Sequence, residues 1–127
     1  MTLLASQREP ASQAATPELC VVVPVLNEQA NIAPLVERLR RTLAGITWEA
    51  IFVDDDSADG TAAAVAAIGR GDARIRLLRR IGRRGLASAV IEGAEASLAP
   101  YIAAIDGDMQ HDEALLPRML AALGEDV

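Results

Sequence analysis

From Glu18 onward the apolar positions switch between two periods. Cys20-Val21-Val22-Val23-Pro24-Val25 is apolar throughout and rich in β-branched residues, the pattern of a strand covered on both faces. Ile32, Leu35, Val36, Leu39 and Leu43 then repeat at helical spacing. Pro34 fits only the first turn of such a helix, which predicts a start between Gln29 and Ile32. Trp48–Val53 reads as a second strand, and Ser57 to Thr61 as a cap and acidic first turn for a helix reaching about Ile68. Arg74–Leu78 is a third strand, with a helix after it on Leu86, Ala89, Val90, Gly93 and Ala94. Tyr101–Ile105 is a fourth strand, before a helix marked by Leu116, Met119, Leu120 and Leu123. Strict strand–helix alternation predicts an α/β fold, a parallel sheet with right-handed crossovers and helices on both faces.

The first 18 residues break this pattern. Their Ser, Gln, Pro and Ala content, as in Glu9-Pro10-Ala11-Ser12-Gln13, reads as a disordered tail, leaving 19–127 as one domain. They lack the basic start and apolar core of a signal peptide, and no segment reaches the roughly 18 apolar residues of a membrane span. A chain of 127 residues is of ordinary single-domain size. Its net charge of −6 excludes a broad basic face, so no nucleic-acid partner is expected. All 12 basic residues are arginine, which excludes chemistry that needs a lysine. The single cysteine, Cys20, falls within an apolar run and reads as a buried, inert thiol.

The candidate chemistry gathers where strands end. Asp106-Gly107-Asp108 follows Tyr101–Ile105, and two carboxylates two residues apart on an extended backbone lie on one side, roughly 7 Å apart at Cα. That arrangement suits a hard divalent cation that keeps room for a diphosphate. Asp54-Asp55-Asp56 follows the second strand, and the carboxyl ends of strands are where an open α/β sheet binds its ligand. Alternation lets only one of those three reach a ligand directly; the other reading is a solvated turn with Ser57 as N-cap. Asn27 and Glu28 either face the crevice or cap the next helix. Arg79, Arg80, Arg83 and Arg84 form the one basic concentration, either a solvated loop or a site for an anionic surface. His111 reads as an exposed loop histidine.

The first loop has no G-x-G-x-x-G and the chain no G-x-x-x-x-G-K-S/T, so dinucleotide and P-loop folds are excluded. Four segments in register instead resemble the family-2 glycosyltransferases, in their polyprenyl-phosphate (dolichol-phosphate mannose synthase-like) branch. They are Val22–Glu28, Val53–Thr61, Arg80–Ala89 and Asp106–Asp112. The resemblance implies a GT-A (nucleotide-diphospho-sugar transferase), Rossmann-like fold. It implies metal-assisted, inverting transfer of a sugar from a GDP- or UDP-sugar to a polyprenyl phosphate, at the cytoplasmic face of a membrane. On the matching positions, Pro24, Leu26 and Glu28 lie against base and ribose, and Asp55 contacts the base with Val53 beside it. Asp106, Gly107 and Asp108 face the diphosphate. Asp108 is the direct ligand of Mg²⁺ or Mn²⁺, with Asp106 and Gln110 completing the site, and Asp106 and Asp108 are the catalytic pair. Arg80 and Arg83 face the anionic acceptor or membrane surface. Because family members run well past the D-x-D, the chain reads as the nucleotide-sugar-binding part of a longer enzyme. The alternative is a non-catalytic nucleotide-sugar or metal-binding fragment.

Overall fold

A computed structural model describes residues 2–5, 16–82, 85–107, 117, 118 and 121. The elements run β1 (Thr2–Ala5), β2 (Leu19–Val25), α1 (Gln29–Thr42), β3 (Trp48–Asp54), α2 (Thr61–Gly71), β4 (Ile75–Arg79), α3 (Leu86–Glu95) and β5 (Tyr101–Ala104). The sheet order is β1-β5-β2-β3-β4, with β5, β2, β3 and β4 parallel. The predicted alternation is therefore present, with α2 running past the expected end at Ile68. The helix expected at Leu116, Met119, Leu120 and Leu123 lies on positions outside the described residues.

One expectation is corrected at the N-terminus. Thr2–Ala5 is not tail but a fifth strand, antiparallel to β5 with Thr2 opposite Ala104 and Ala5 opposite Tyr101. It satisfies backbone groups that an open β5 edge would leave exposed. Pro34 is a smaller correction. It sits in the second turn of α1, which starts at Gln29. The carbonyl that loses its partner there is that of Ala30, an exposed residue where water can serve.

The sheet is buried on both sides because β2 and β3 are apolar on both. Val21, Val23 and Phe52 pack with Leu35, Val36 and Leu39 of α1 and Val65 of α2. Cys20, Val22, Ile51 and Val53 form the opposite layer with Ala89 of α3. Burial, helped by the neighbouring Glu49 carboxylate, pushes the Cys20 thiol up to about 12, so it stays protonated and inert. Helix α3 lies very close to the sheet at Gly93, where a Cβ would stand 2.5 Å from Val22 Cγ1 and 3.1 Å from Val53 Cγ2. That contact fixes the height of α3 above the strand ends.

Candidate functional site

The carboxyl ends of β2, β3 and β5 meet at one edge of the sheet, and hydrogen bonds stitch the loops leaving β2 and β3 together. The Asn27 N–H donates to Ser57 Oγ at 2.9 Å, and Asn27 Oδ1 accepts from the Ala58 N–H at 2.8 Å. The Glu28 N–H donates to Thr61 Oγ1 at 2.9 Å. Asn27 and Asp56 both adopt left-handed backbone, with φ of 52° and 62°. Short polar side chains tolerate that region best, which suits both positions. Asn27 therefore clamps two loops. Ser57 is not the expected N-cap, because Gly60 precedes α2 and the Asp56 turn aims Ser57 back at Asp54. Asp59 supplies the missing acceptors, taking the Thr61 N–H at 2.9 Å and the Gln29 N–H at 3.3 Å, one at the start of each helix. The Thr61 hydroxyl holds its carboxyl below the usual aspartate range.

The three consecutive aspartates take three directions. Asp54 is fully buried and accepts the Ser57 N–H and hydroxyl, with Arg79 Nε 3.8 Å away. Asp56 turns outward to Arg79 Nη2 at 3.3 Å. Asp55 is held at both oxygens by Arg80, from Nε at 2.6 Å and Nη2 at 2.9 Å.

Arg80 is the largest fully buried side chain among the described residues, which overturns its expected place on an anionic surface. Besides Asp55 it donates from Nη1 to Glu92 Oε2 at 2.6 Å and Ser88 Oγ at 2.8 Å, and from Nη2 to the Gly85 carbonyl at 3.0 Å. A guanidinium has five N–H groups, and all five are engaged. The Asp55 carboxylate, then that of Glu92, raises the already high Arg80 pKa, so the cation is permanent.

A cleft of about 220 Å³ opens above these strand ends. Pro24, Leu26, Glu28, Asp55, Asp106 and Gly107 all line it, with Gly107 packed against Glu28 and Val25. The expected residues from three separate segments thus share one cavity. Gly107 packs closely: a Cβ there would run into the Glu28 carboxylate and stand 2.6 Å from Val25 Cγ1, so a larger residue requires those side chains to shift. Val53 does not line the cleft. It lies two residues before Asp55 on the same face, and so one step deeper under α3, fully buried. Val25 and Leu86 line it without having been expected to. Leu86 is 63% exposed, and its signal was its place in the Gly85-Leu86 pair of the third segment. Asp108, Gln110 and Arg83 fall outside the described residues, as do His111 and Arg84.

Among the described residues no three His, Cys, Asp or Glu side chains gather closely enough to hold a metal. No described helix is long and apolar enough to cross a membrane. Chemically, the cleft offers apolar lining at Pro24, Val25, Leu26 and Leu86, an anchored carboxylate at Asp55, and the carboxylates of Glu28 and Asp106.

Residues 20–127 match the family profile described as Glycosyl transferase family 2. The chain is 35% identical over 118 residues to a dolichol-phosphate mannosyltransferase of Mycosarcoma maydis, covering 88% of this chain and 40% of that protein. It is also 35% identical over 109 residues to a dodecaprenyl-phosphate galacturonate synthase of Rhizobium johnstonii, covering 84% and 32%. Its fold resembles that of a mannosyltransferase from Pyrobaculum calidifontis solved with GDP-Man and Mn²⁺. The TM-score is 0.62 at 24% identity, over 80% of this chain and 30% of that one. The chain thus spans 40% or less of the length of each.

Proposed function

The chain belongs to glycosyl transferase family 2 and has the GT-A fold, and from that premise we propose that it forms the donor-binding part of an inverting glycosyltransferase. The donor is a nucleoside-diphosphate sugar and the acceptor a polyprenyl phosphate, which puts the reaction at the cytoplasmic face of a membrane. The cleft carries this reading. Its apolar wall at Pro24 and Leu26 suits a base and ribose, and Asp55 accepts N–H groups of the base. Asp106 and Gly107 lie at the diphosphate end. The two relatives differ in sugar but both names contain a polyprenyl phosphate, so the acceptor class is better supported than the sugar.

Of the expected ligands Asp106 is the described one, and its carboxylate suits a hard divalent cation. A carboxylate about 4 Å from a diphosphate oxygen would repel it by roughly 4 kcal/mol at an effective dielectric of 20, so Asp106 needs a cation between. Asp106 would hold Mg²⁺ or Mn²⁺ together with Asp108 and Gln110, all through oxygen. When bound, such an ion offsets the charge that develops on the departing diphosphate. The protein's own part is orientation. The clamped loops fix Asp55 and the apolar wall relative to Asp106, so the anomeric carbon presents one face to the acceptor. A phosphate acceptor is already anionic near pH 7, so no general base is required.

Calorimetric titration of GDP and UDP, first with Mg²⁺ or Mn²⁺ and then with chelator, tests the proposal. Binding that is strong with metal and weak with chelator is expected. Equal affinity in both conditions would remove the metal, and no binding in either would remove the donor reading.

A further inference from the structure

Arg80 is the most heavily partnered side chain beside the cleft and does not line it. Its five N–H groups are spent on Asp55, Glu92, Ser88 and the Gly85 carbonyl, so none remains for a ligand. It therefore does not serve as a direct donor or acceptor contact. Asp55, by contrast, does line the cleft, while both its oxygens are bonded to Arg80. Each carboxylate oxygen can accept more than one hydrogen bond, so Asp55 keeps acceptor capacity for the cleft.

We propose that Arg80 is a positioning residue for nucleotide recognition, holding the Asp55 carboxylate in one orientation as the acceptor for N–H groups of the donor's base. This deepens the donor-site reading and rests on it. The bidentate pair fixes the carboxylate plane, which a single ammonium could not do. Glu92 and Ser88 anchor the other side of the guanidinium to α3, whose height is set by Gly93 against Val22. Leu86 lines the cleft on the first turn of the same helix, one residue after the carbonyl that Arg80 holds. Arg80 thus ties the base acceptor to an apolar wall of the cleft. A loosened Arg80 would cost recognition of the nucleoside and leave the diphosphate end untouched.

The probes are GDP, UDP and inorganic pyrophosphate, each titrated with Mg²⁺ into the full chain. Arg80→Lys should weaken GDP and UDP about tenfold, the size of one charge-assisted contact, and leave pyrophosphate within about twofold. Asp55→Asn should show the same pattern. The double variant should be no weaker than Asp55→Asn alone, because one residue acts through the other. A merely structural role predicts pyrophosphate weakened in step, or losses that multiply in the double variant, and either result overturns the proposal. If melting shows that Arg80→Lys does not fold, Glu92→Ala replaces it. That change should weaken GDP about threefold, the cost of loosening one anchor, and lose its effect in the Asp55→Asn background. An unchanged GDP affinity would be the contrary result. A native chain that binds none of the probes overturns the donor reading itself, which is distinct from native binding with variants that fail the pattern.

Discussion

Strand β4 carries a charged cluster at each end, and the two are built in opposite senses. Before it, Asp72 lies between two arginines, accepting from Arg40 Nε at 3.3 Å and Nη2 at 3.2 Å, and from Arg74 Nε at 3.0 Å and Nη2 at 2.9 Å. After it, Arg80 lies between two carboxylates, those of Asp55 and Glu92. Burial separates them further. Asp72 is 12% exposed between arginines that are 34% and 45% exposed, whereas Arg80 is 0% exposed between carboxylates that are 15% and 28% exposed. Removing a central charge at a surface leaves partners that water readily solvates, but removing a buried one leaves two less exposed like charges facing each other. The amino-end cluster is thus a fastening between α1 and the turn into β4. The carboxyl-end cluster is a rigid mount for a residue that faces the cleft.

The sharpest way to break the comparison is to delete both central charges. Arg80→Met should cost about 3 kcal/mol, because Asp55 and Glu92 would face each other without a cation. Urea denaturation measures this, and a loss below about 1 kcal/mol would make the two clusters equivalent. Asp72→Asn should cost about 1 kcal/mol near neutral pH, since both partners are partly solvated. Its pH dependence has a definite sign. The Arg74 guanidinium holds the Asp72 carboxyl at about 2, below its unfolded value. Its contribution is therefore complete above about pH 4 and lost as pH falls through about 2. Native and Asp72→Asn curves should converge over that window, and a gap that persisted below it would contradict the ion pair. The smallest effect should come from Arg74→Lys, which keeps the charge but loses the fork on Asp72 and the stacking over Trp48, 4.5 Å from the ring centroid. About 0.5 kcal/mol is expected, read as a small fall in melting temperature.

The difference between the clusters also marks what the sequence could disclose. Strand runs buried on both faces leave a continuous apolar trace, so β2 and β3 were legible from composition alone. Residues at the carboxyl ends of parallel strands converge by topology, which points to Glu28, Asp54–Asp56 and Asp106 before any coordinates. It is the family resemblance that singles out Pro24, Leu26, Asp55 and Gly107, and all of these residues but Asp54 and Asp56 line the cleft. Arg80 could not be read correctly. Within a run of arginines it looks solvated, and its partners lie 25 residues back and 12 ahead, where no local period links them. Ser57 misled for a related reason. A serine ahead of a helix resembles a cap, but the left-handed turn at Asp56 points it at Asp54. Strand β1 is four residues long and pairs with residues near 100, too short for a periodic signal and too distant for a local one.

The position of β4 at the end of the sheet order has one more consequence. Its outer backbone groups have no ladder partner among the described residues, and a bare edge of that kind is a template on which a strand of another molecule can add. The segment is Ile75-Arg76-Leu77-Leu78-Arg79, apolar enough to be sticky, with Leu77 exposed. Arg76 and Arg79 punctuate it and Arg74 precedes it, each paired to a carboxylate of its own chain at Glu49, Asp56 or Asp72. A second copy approaching this edge would bring bulky guanidinium groups into register with its own and would have to disturb those pairs. The same arginines that settle the charge around β4 therefore guard the molecule against edge-to-edge aggregation.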